Sequence, residues 1–258
     1  MTAPIEAQAA FDANELVRAA RWLGLNGRWQ DQTQFVRAIA AGLKTDTDHL
    51  LATRLAVELS RPDLGVMVAR AARLDGSTDY VRSGFPEVKL PPALSYQWVM
   101  VHSIARQESQ FDREAISSAG ARGLMQLMTP TARQTATKMG LPWSVERLTS
   151  DPAYNMTLGS AYFAGLLDRY GGNHVLAVAA YNAGPGNVSR FIAANGDPRL
   201  PGVDVVDWIE SIPFSETRGY VQRVLENAVV YDLMNPDKAR VRAATNRLSA
   251  YLGKTSAG

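Results

Sequence analysis

The chain of 258 residues is 46% hydrophobic, enough apolar material for one large or two modest folded domains. Lys and Arg outnumber Asp and Glu by only 27 to 25, with no basic cluster, which argues against a nucleic-acid partner. The lack of cysteine excludes disulfides, thiol nucleophiles and Cys-ligated metal, and His49, His102 and His174 are too dispersed for metal-ligand spacing, so a structural or solvated role is expected for each.

No apolar run approaches the ~18 residues that a membrane-spanning helix requires. The opening "MTAPIEAQAAFDANELV" lacks the charged and apolar regions of a secretory signal. The chain is therefore expected to be cytoplasmic or the trimmed part of a longer precursor.

Residues 1–78 read as short helices in pairs. "ANELVRAARWLGL" runs to an "LNG" stop at Gly27, and "QDQTQFVRAIAAGL" follows with Phe35, Val36, Ile39 and Leu43 in helical register. "DTDHLLATRLAVELS" and "PDLGVMVARAARL" form a second pair, the latter opening on Pro62 and Asp63, both suited to a first turn. Arg18-Ala-Ala-Arg21 recurs as Arg70-Ala-Ala-Arg73, which marks either a hairpin repeat or chance in an Ala/Arg-rich region. Two hairpins are fewer than the three or so repeats a solenoid needs, so the region reads as the end of a longer array.

Residues 79–94 hold Pro86, Pro91 and Pro92 and break the helical pattern, the mark of a linker or extended crossover. From 95 to 258 the chain is helical again. "WVMVHSIARQES" places Trp98, Val101, Ile104 or Ala105, and Glu108 at steps of three or four, so that an apolar stripe ends on a carboxylic acid. Thr129 with Pro130, and Asp151 with Pro152, are expected as cap and first helical residue, with Gly171–Gly172 as a stop. "NHVLAVAAYNAGPG" is a short apolar helix ending at a Gly/Pro turn. Ser215 and Glu216 open a long helix, and "PDKARVRAATNRLSAYL" forms a last, outer one. No segment alternates with period two, so the fold class is all-α.

Burial among apolar neighbours disfavours the charged form of a carboxyl, and a carboxyl protonated near neutral pH meets the requirement of a general acid. Periodicity alone leaves open a solvated helix end or an acid paired with Arg106 or Arg113. Asp112, four residues on, reads as a solvated loop acid. Met125 and Met128 read by default as core, and Tyr181 and Asn182 leave an apolar helix at a glycine turn, a plausible site edge.

Four segments together, "ARQESQF", "SSAGARGLMQLMTPTA", "AVAAYNAGPGNV" and "WIESIPFSETRGYVQRV", resemble the four motifs of the soluble lytic transglycosylases, in family order. The resemblance implies a lysozyme-like catalytic domain over 95–258, preceded by a short helical-hairpin (superhelical) region. Glu108 matches the family's single acid/base, which protonates the bond between N-acetylmuramic acid and N-acetylglucosamine and then closes a 1,6-anhydro ring. Ser117 and Gln126 match polar sugar contacts, Met128 an apolar wall, Tyr181 a tyrosine over the reacting centre, and Glu216 a second groove acid. Asn182 lies in the same motif as Tyr181. The resemblance implies no metal or organic cofactor, peptidoglycan glycan strands as substrate, a periplasmic location, and the helical region as a surface for cell-envelope assembly partners. A hydrolytic muramidase of the same fold and a non-catalytic peptidoglycan-binding scaffold are the competing readings.

Overall fold

A computed structural model describes residues 3–77, 79–239 and 246–254. Every regular element among them is helical, the only β interactions being two isolated bridges, Ile116 with Arg122 and Arg122 with Leu127. None of the helices is long and apolar enough to cross a membrane. The chain divides into two compact units, one of Met1–Lys89 with Ser109–Ala115, the other of Leu90–Glu108 with Ile116–Gly258.

The first unit contains α1 (Ile5–Ala13), α2 (Glu15–Leu25), α3 (Trp29–Ala41), α4 (Asp46–Glu58), α5 (Pro62–Leu74) and the single turn α6 (Val81–Gly84). Helix α2 packs on α3, α4 on α5, and α3 also on α5. Val17, Ala20, Val36, Leu55, Leu64 and Val68 meet in the core between them. Burying each such branched side chain contributes about 1.5–3 kcal/mol, with the small Ala20 and Ala52 letting the helices approach. The repeated Arg-Ala-Ala-Arg falls on the first helix of one hairpin and the second helix of the other. It therefore does not mark equivalent positions of a structural repeat. Helix α1, which the sequence reading passed over, lacks a clear apolar stripe and has no fully buried residue.

Ser109–Ala115 lies in this first unit, and here the expectation for Asp112 fails. Asp112 is partly buried rather than solvated, and its carboxyl is raised by burial and by the Asp63 carboxylate. Arg61 binds both oxygens of Asp63 and reaches Gln32 and Thr33 at 2.9 Å each, so these charges are held within a hydrogen-bonded group. Gln110 and Phe111 both take left-handed backbone, with φ of 52° and 66°, which carries the chain sharply off its helix.

The second unit begins with a 3₁₀ turn (Pro92–Gln97) and α7 (Trp98–Ser109). Helix α7 is buried on all sides from Trp98 to Ala105, beyond the single stripe its periodicity predicts. His102 lies within it, its Nδ1 2.7 Å from the Trp98 carbonyl and its ring stacked on Trp98, a structural histidine. Then follow α8 (Thr129–Lys138), α9 (Arg147–Ser150), α10 (Pro152–Arg169), α11 (His174–Ala183), α12 (Pro185–Asn195), α13 (Val205–Glu210), α14 (Ser215–Met234) and α15 (Arg247–Tyr251). Helix α11 sits centrally, packed on α10, α12 and α14. Asp151, Asn173 and Asp204 cap their helices through their side chains. Thr129 and Ser215 do not cap, because each is already the first helical residue, after Met128 and Phe214 respectively. The expected last helix is shorter than predicted over the described residues, starting at an Asn246 cap, while 240–245 of that expectation lie outside them. Its Tyr251 is buried and donates to Asp232 at 2.8 Å, so the segment enters the core instead of covering it.

Candidate active site

Glu108 stands in the last turn of α7, where the buried stretch gives way to partly exposed residues. Its Oε1 accepts a hydrogen bond of 2.7 Å from the hydroxyl of Tyr220, on α14. Burial raises the Glu108 carboxyl from 4.5 to about 7, the Glu216 charge adds to the rise, and the Tyr220 bond opposes it by favouring the anion. A carboxyl so placed carries a proton for much of the time at neutral pH and has a fixed donor waiting when the proton leaves.

Tyr220 is only 5% exposed, and burial together with the Glu108 and Tyr181 charges holds its hydroxyl well above the ordinary range. It therefore stays a neutral donor. Sequence reasoning missed it: the residue stands inside "SETRGYVQRV", but its pairing spans 112 positions of chain and no local spacing announces it. Loss of the Tyr220 hydroxyl is expected to raise the Glu108 pKa by about one to two units, the worth of a hydrogen bond to a charged group. In Tyr220→Phe the alkaline limb of the kcat/KM profile should then move upward in pH, because the protonated acid persists longer. A limb that stays in place or moves downward would show that this bond does not tune the acid.

Tyr181 ends α11 with its ring against Tyr162 and Phe163, at 5.4 and 6.2 Å. Its hydroxyl donates to the Met125 carbonyl at 2.8 Å, and its pKa is raised by burial and then by the Glu108 charge. Asn182 accepts a 2.7 Å bond from the buried Thr217 of α14, which ties the end of α11 to the first turn of the helix that carries Tyr220 and Glu216. Glu216 is exposed and reaches Glu108 through its field.

The segment Ile116–Met128 is a pair of tight turns. Ser117 accepts from the Ala121 amide at 3.0 Å and so shapes its own turn, while its hydroxyl proton remains available to another acceptor. Gln126 takes φ 45° and turns its side-chain nitrogen to the Gly123 carbonyl at 2.9 Å. Met128 is 43% exposed at the start of α8, whereas Met125 is fully buried, so the two methionines differ in environment despite their spacing. Glu108, Tyr181, Glu216 and Tyr220 thus share one electrostatic site, with Asn182 bracing it. Ser117, Gln126 and Met128 belong to the turn segment, which joins that site through the Met125 carbonyl. No group of three or more Asp, Glu or His that could hold a metal occurs among the described residues.

The second unit is thus an all-α domain built round a central apolar helix, with a carboxyl raised by burial at the end of another helix. Two solved structures with this fold overlay the chain. An inactive mutant of the lytic transglycosylase Slt from Pseudomonas aeruginosa matches with a TM-score of 0.75 and 29% identity, over 92% of this chain and 38% of its own. The 70 kDa soluble lytic transglycosylase from Escherichia coli gives 0.74 and 30%, over 95% and 40%. Residues 93–199 match the Transglycosylase SLT domain, and residues 211–236 the Soluble lytic transglycosylase helical domain. Over this region the chain is similar to the soluble lytic transglycosylases. The soluble lytic murein transglycosylase of E. coli K12 is 40% identical over 144 residues, which is 55% of this chain and 22% of that protein. A putative soluble lytic murein transglycosylase of Haemophilus influenzae is 42% identical over 133 residues, 51% of this chain and 22% of its own. The matched region spans only about a fifth of the length of these relatives. The helical-domain match covers the whole of α14, away from the hairpins of residues 1–78.

Proposed function

We propose that the protein is a peptidoglycan lytic transglycosylase. It cleaves the β-1,4 bond between N-acetylmuramic acid and N-acetylglucosamine and leaves a 1,6-anhydromuramic acid end. The observation that carries this reading is Glu108 raised to about 7 and hydrogen-bonded by Tyr220, in the domain whose relatives are named for that activity. The protonated carboxyl gives its proton to the glycosidic oxygen as the bond from muramic C1 breaks. The carboxylate left behind, stabilised by the Tyr220 hydroxyl, then takes the proton of the muramic 6-hydroxyl while that oxygen bonds to C1. Atoms and protons balance without water, and Glu108 returns to its starting state. One carboxyl serves both steps, in contrast to the two-carboxylate glycosidases. Ser117, Gln126, Met128, Tyr181, Asn182 and Glu216 are assigned to binding the glycan around the scissile bond. Peptidoglycan lies outside the inner membrane, so the proposed location is periplasmic, and the helical hairpins are the proposed surface for cell-envelope partners.

The test is mass spectrometry of muropeptides released from purified sacculi. Products lighter than the hydrolytic ones by one water support the transglycosylase. Products carrying the added water would identify a muramidase, with Glu216 as the nearby second carboxylate. Absence of release would leave a glycan-binding scaffold.

A further inference from the structure

Asn155, on the first turns of α10, is completely buried and uses its amide in three directions. Its Oδ1 accepts from the Met125 amide at 2.9 Å, and its Nδ2 donates to the carbonyls of Arg122 and Leu148, each at 2.9 Å. Both donors and one acceptor position are thereby spent on backbone, and none on another side chain. The loop it holds is closed by paired bonds of 3.1 Å between Arg122 and Leu127. At its apex is the Met125 carbonyl that accepts the Tyr181 hydroxyl. The Met125 side chain is pinned as well, because it packs against Gly159, where an added Cβ would come within 2.4 Å of its sulfur.

We propose that Asn155 is a positioning residue for the reaction. By fixing the Met125 peptide it sets the Tyr181 hydroxyl beside Glu108, without touching the glycan. The inference rests on Glu108 and Tyr181 forming the reacting centre and adds the element that aligns them. A buried amide bridging three backbone groups of two segments is costly to lose, since each abandoned backbone group is left unsatisfied. The loss also frees the one carbonyl to which Tyr181 is tethered. A displacement of that hydroxyl affects the chemical step more than ground-state binding of a long glycan.

The test is a double-mutant cycle on the full chain with soluble glycan strands as substrate, comparing Asn155→Ser, Tyr181→Phe and the pair. Each single change is expected to lower kcat about tenfold with KM within about threefold, and the pair to fall little further, because both act on one alignment. Losses that multiply in the pair would make Asn155 merely structural and overturn the proposal, as would an unchanged kcat in Asn155→Ser. A second measurement needs no substitution. The Met125 amide should exchange slowly with solvent deuterium in the wild-type protein, and rapid exchange there would also refute the clamp. Coupling is readable whether products are anhydro or hydrolytic, so failure of the clamp and failure of the transglycosylase assignment give different results.

Discussion

Replacing Glu108 by glutamine is expected to lower glycan cleavage by about 10²- to 10⁴-fold, the range for removing a general acid, while the protein stays folded. The substitution keeps shape and a hydrogen-bonding oxygen for Tyr220 but removes the only proton that the proposed first step can deliver. Its effect on stability should run the other way. A carboxyl whose folded pKa of about 7 exceeds its unfolded value near 4.5 binds more protons when folded. Stability therefore falls as pH rises through that window, and the full penalty is present above it. The neutral amide carries no such penalty. Glu108→Gln should consequently be more stable than wild type at pH 8, by up to about 3 kcal/mol, with the gap closing towards pH 4.5. Parallel activity assays and denaturant melts at the two pH values check both halves. Undiminished clearing of sacculi by the variant would remove Glu108 from the mechanism. Equal stabilities at pH 8 would mean that burial does not raise its pKa.

This opposition explains why a core-facing helical stripe should finish on an acid. The helix end is the place where apolar packing is still dense enough to hold the proton and where the proposed glycan substrate would first reach it. Much of that was legible in the sequence. The position of Glu108 followed from spacing along α7, and the site segments from their resemblance to family motifs. Helices with side-chain caps, such as α10 with Asp151 and α11 with Asn173, were placed well because a cap is a local event. What escaped was mostly nonlocal. Tyr220 looks like any core tyrosine until α14 is laid against α7, and Asn155 looks like a polar residue in an apolar helix until three backbone groups from two segments converge on it. Asp112 read as a loop acid because Arg61 and Asp63, far away in sequence, could not be seen to meet it. Helix α12 is hidden for a different reason: in sequence Gly184-Pro185-Gly186 reads only as a stop. Gly184, at φ 84°, does end α11, but Pro185 then occupies a first-turn position where its missing N–H costs nothing.

The second large effect is expected at Gly123, with Gly120 as its control. Both glycines lie in the turn segment after Glu108 and both have left-handed backbone, with φ of 73° and 85°. Alanine at either position incurs the left-handed cost of about 1–2 kcal/mol. They differ in the space available. A Cβ at Gly120 meets nothing within 4 Å, whereas at Gly123 it would stand 2.0 Å from the Leu148 carbonyl and 2.4 Å from Asn155 Nδ2. One obstacle is backbone and the other a fully bonded buried amide, so neither clears by a rotamer change. Gly123→Ala must shift the loop off Asn155 and abandon some of its bonds, which adds overpacking and unsatisfied-group costs of about 1–3 kcal/mol each. A total destabilisation of about 3–8 kcal/mol is expected, against about 1–2 for Gly120→Ala, read from urea melts of the two variants. The catalytic consequence should diverge as sharply, because only the Gly123 change moves the Met125 carbonyl that holds Tyr181. Where Gly123→Ala remains folded, it should show the loss of kcat expected for Asn155→Ser, and Gly120→Ala should stay near wild type. Equal costs at the two glycines would mean that the close approach at Gly123 does not govern this turn, and that backbone angle alone accounts for its glycine.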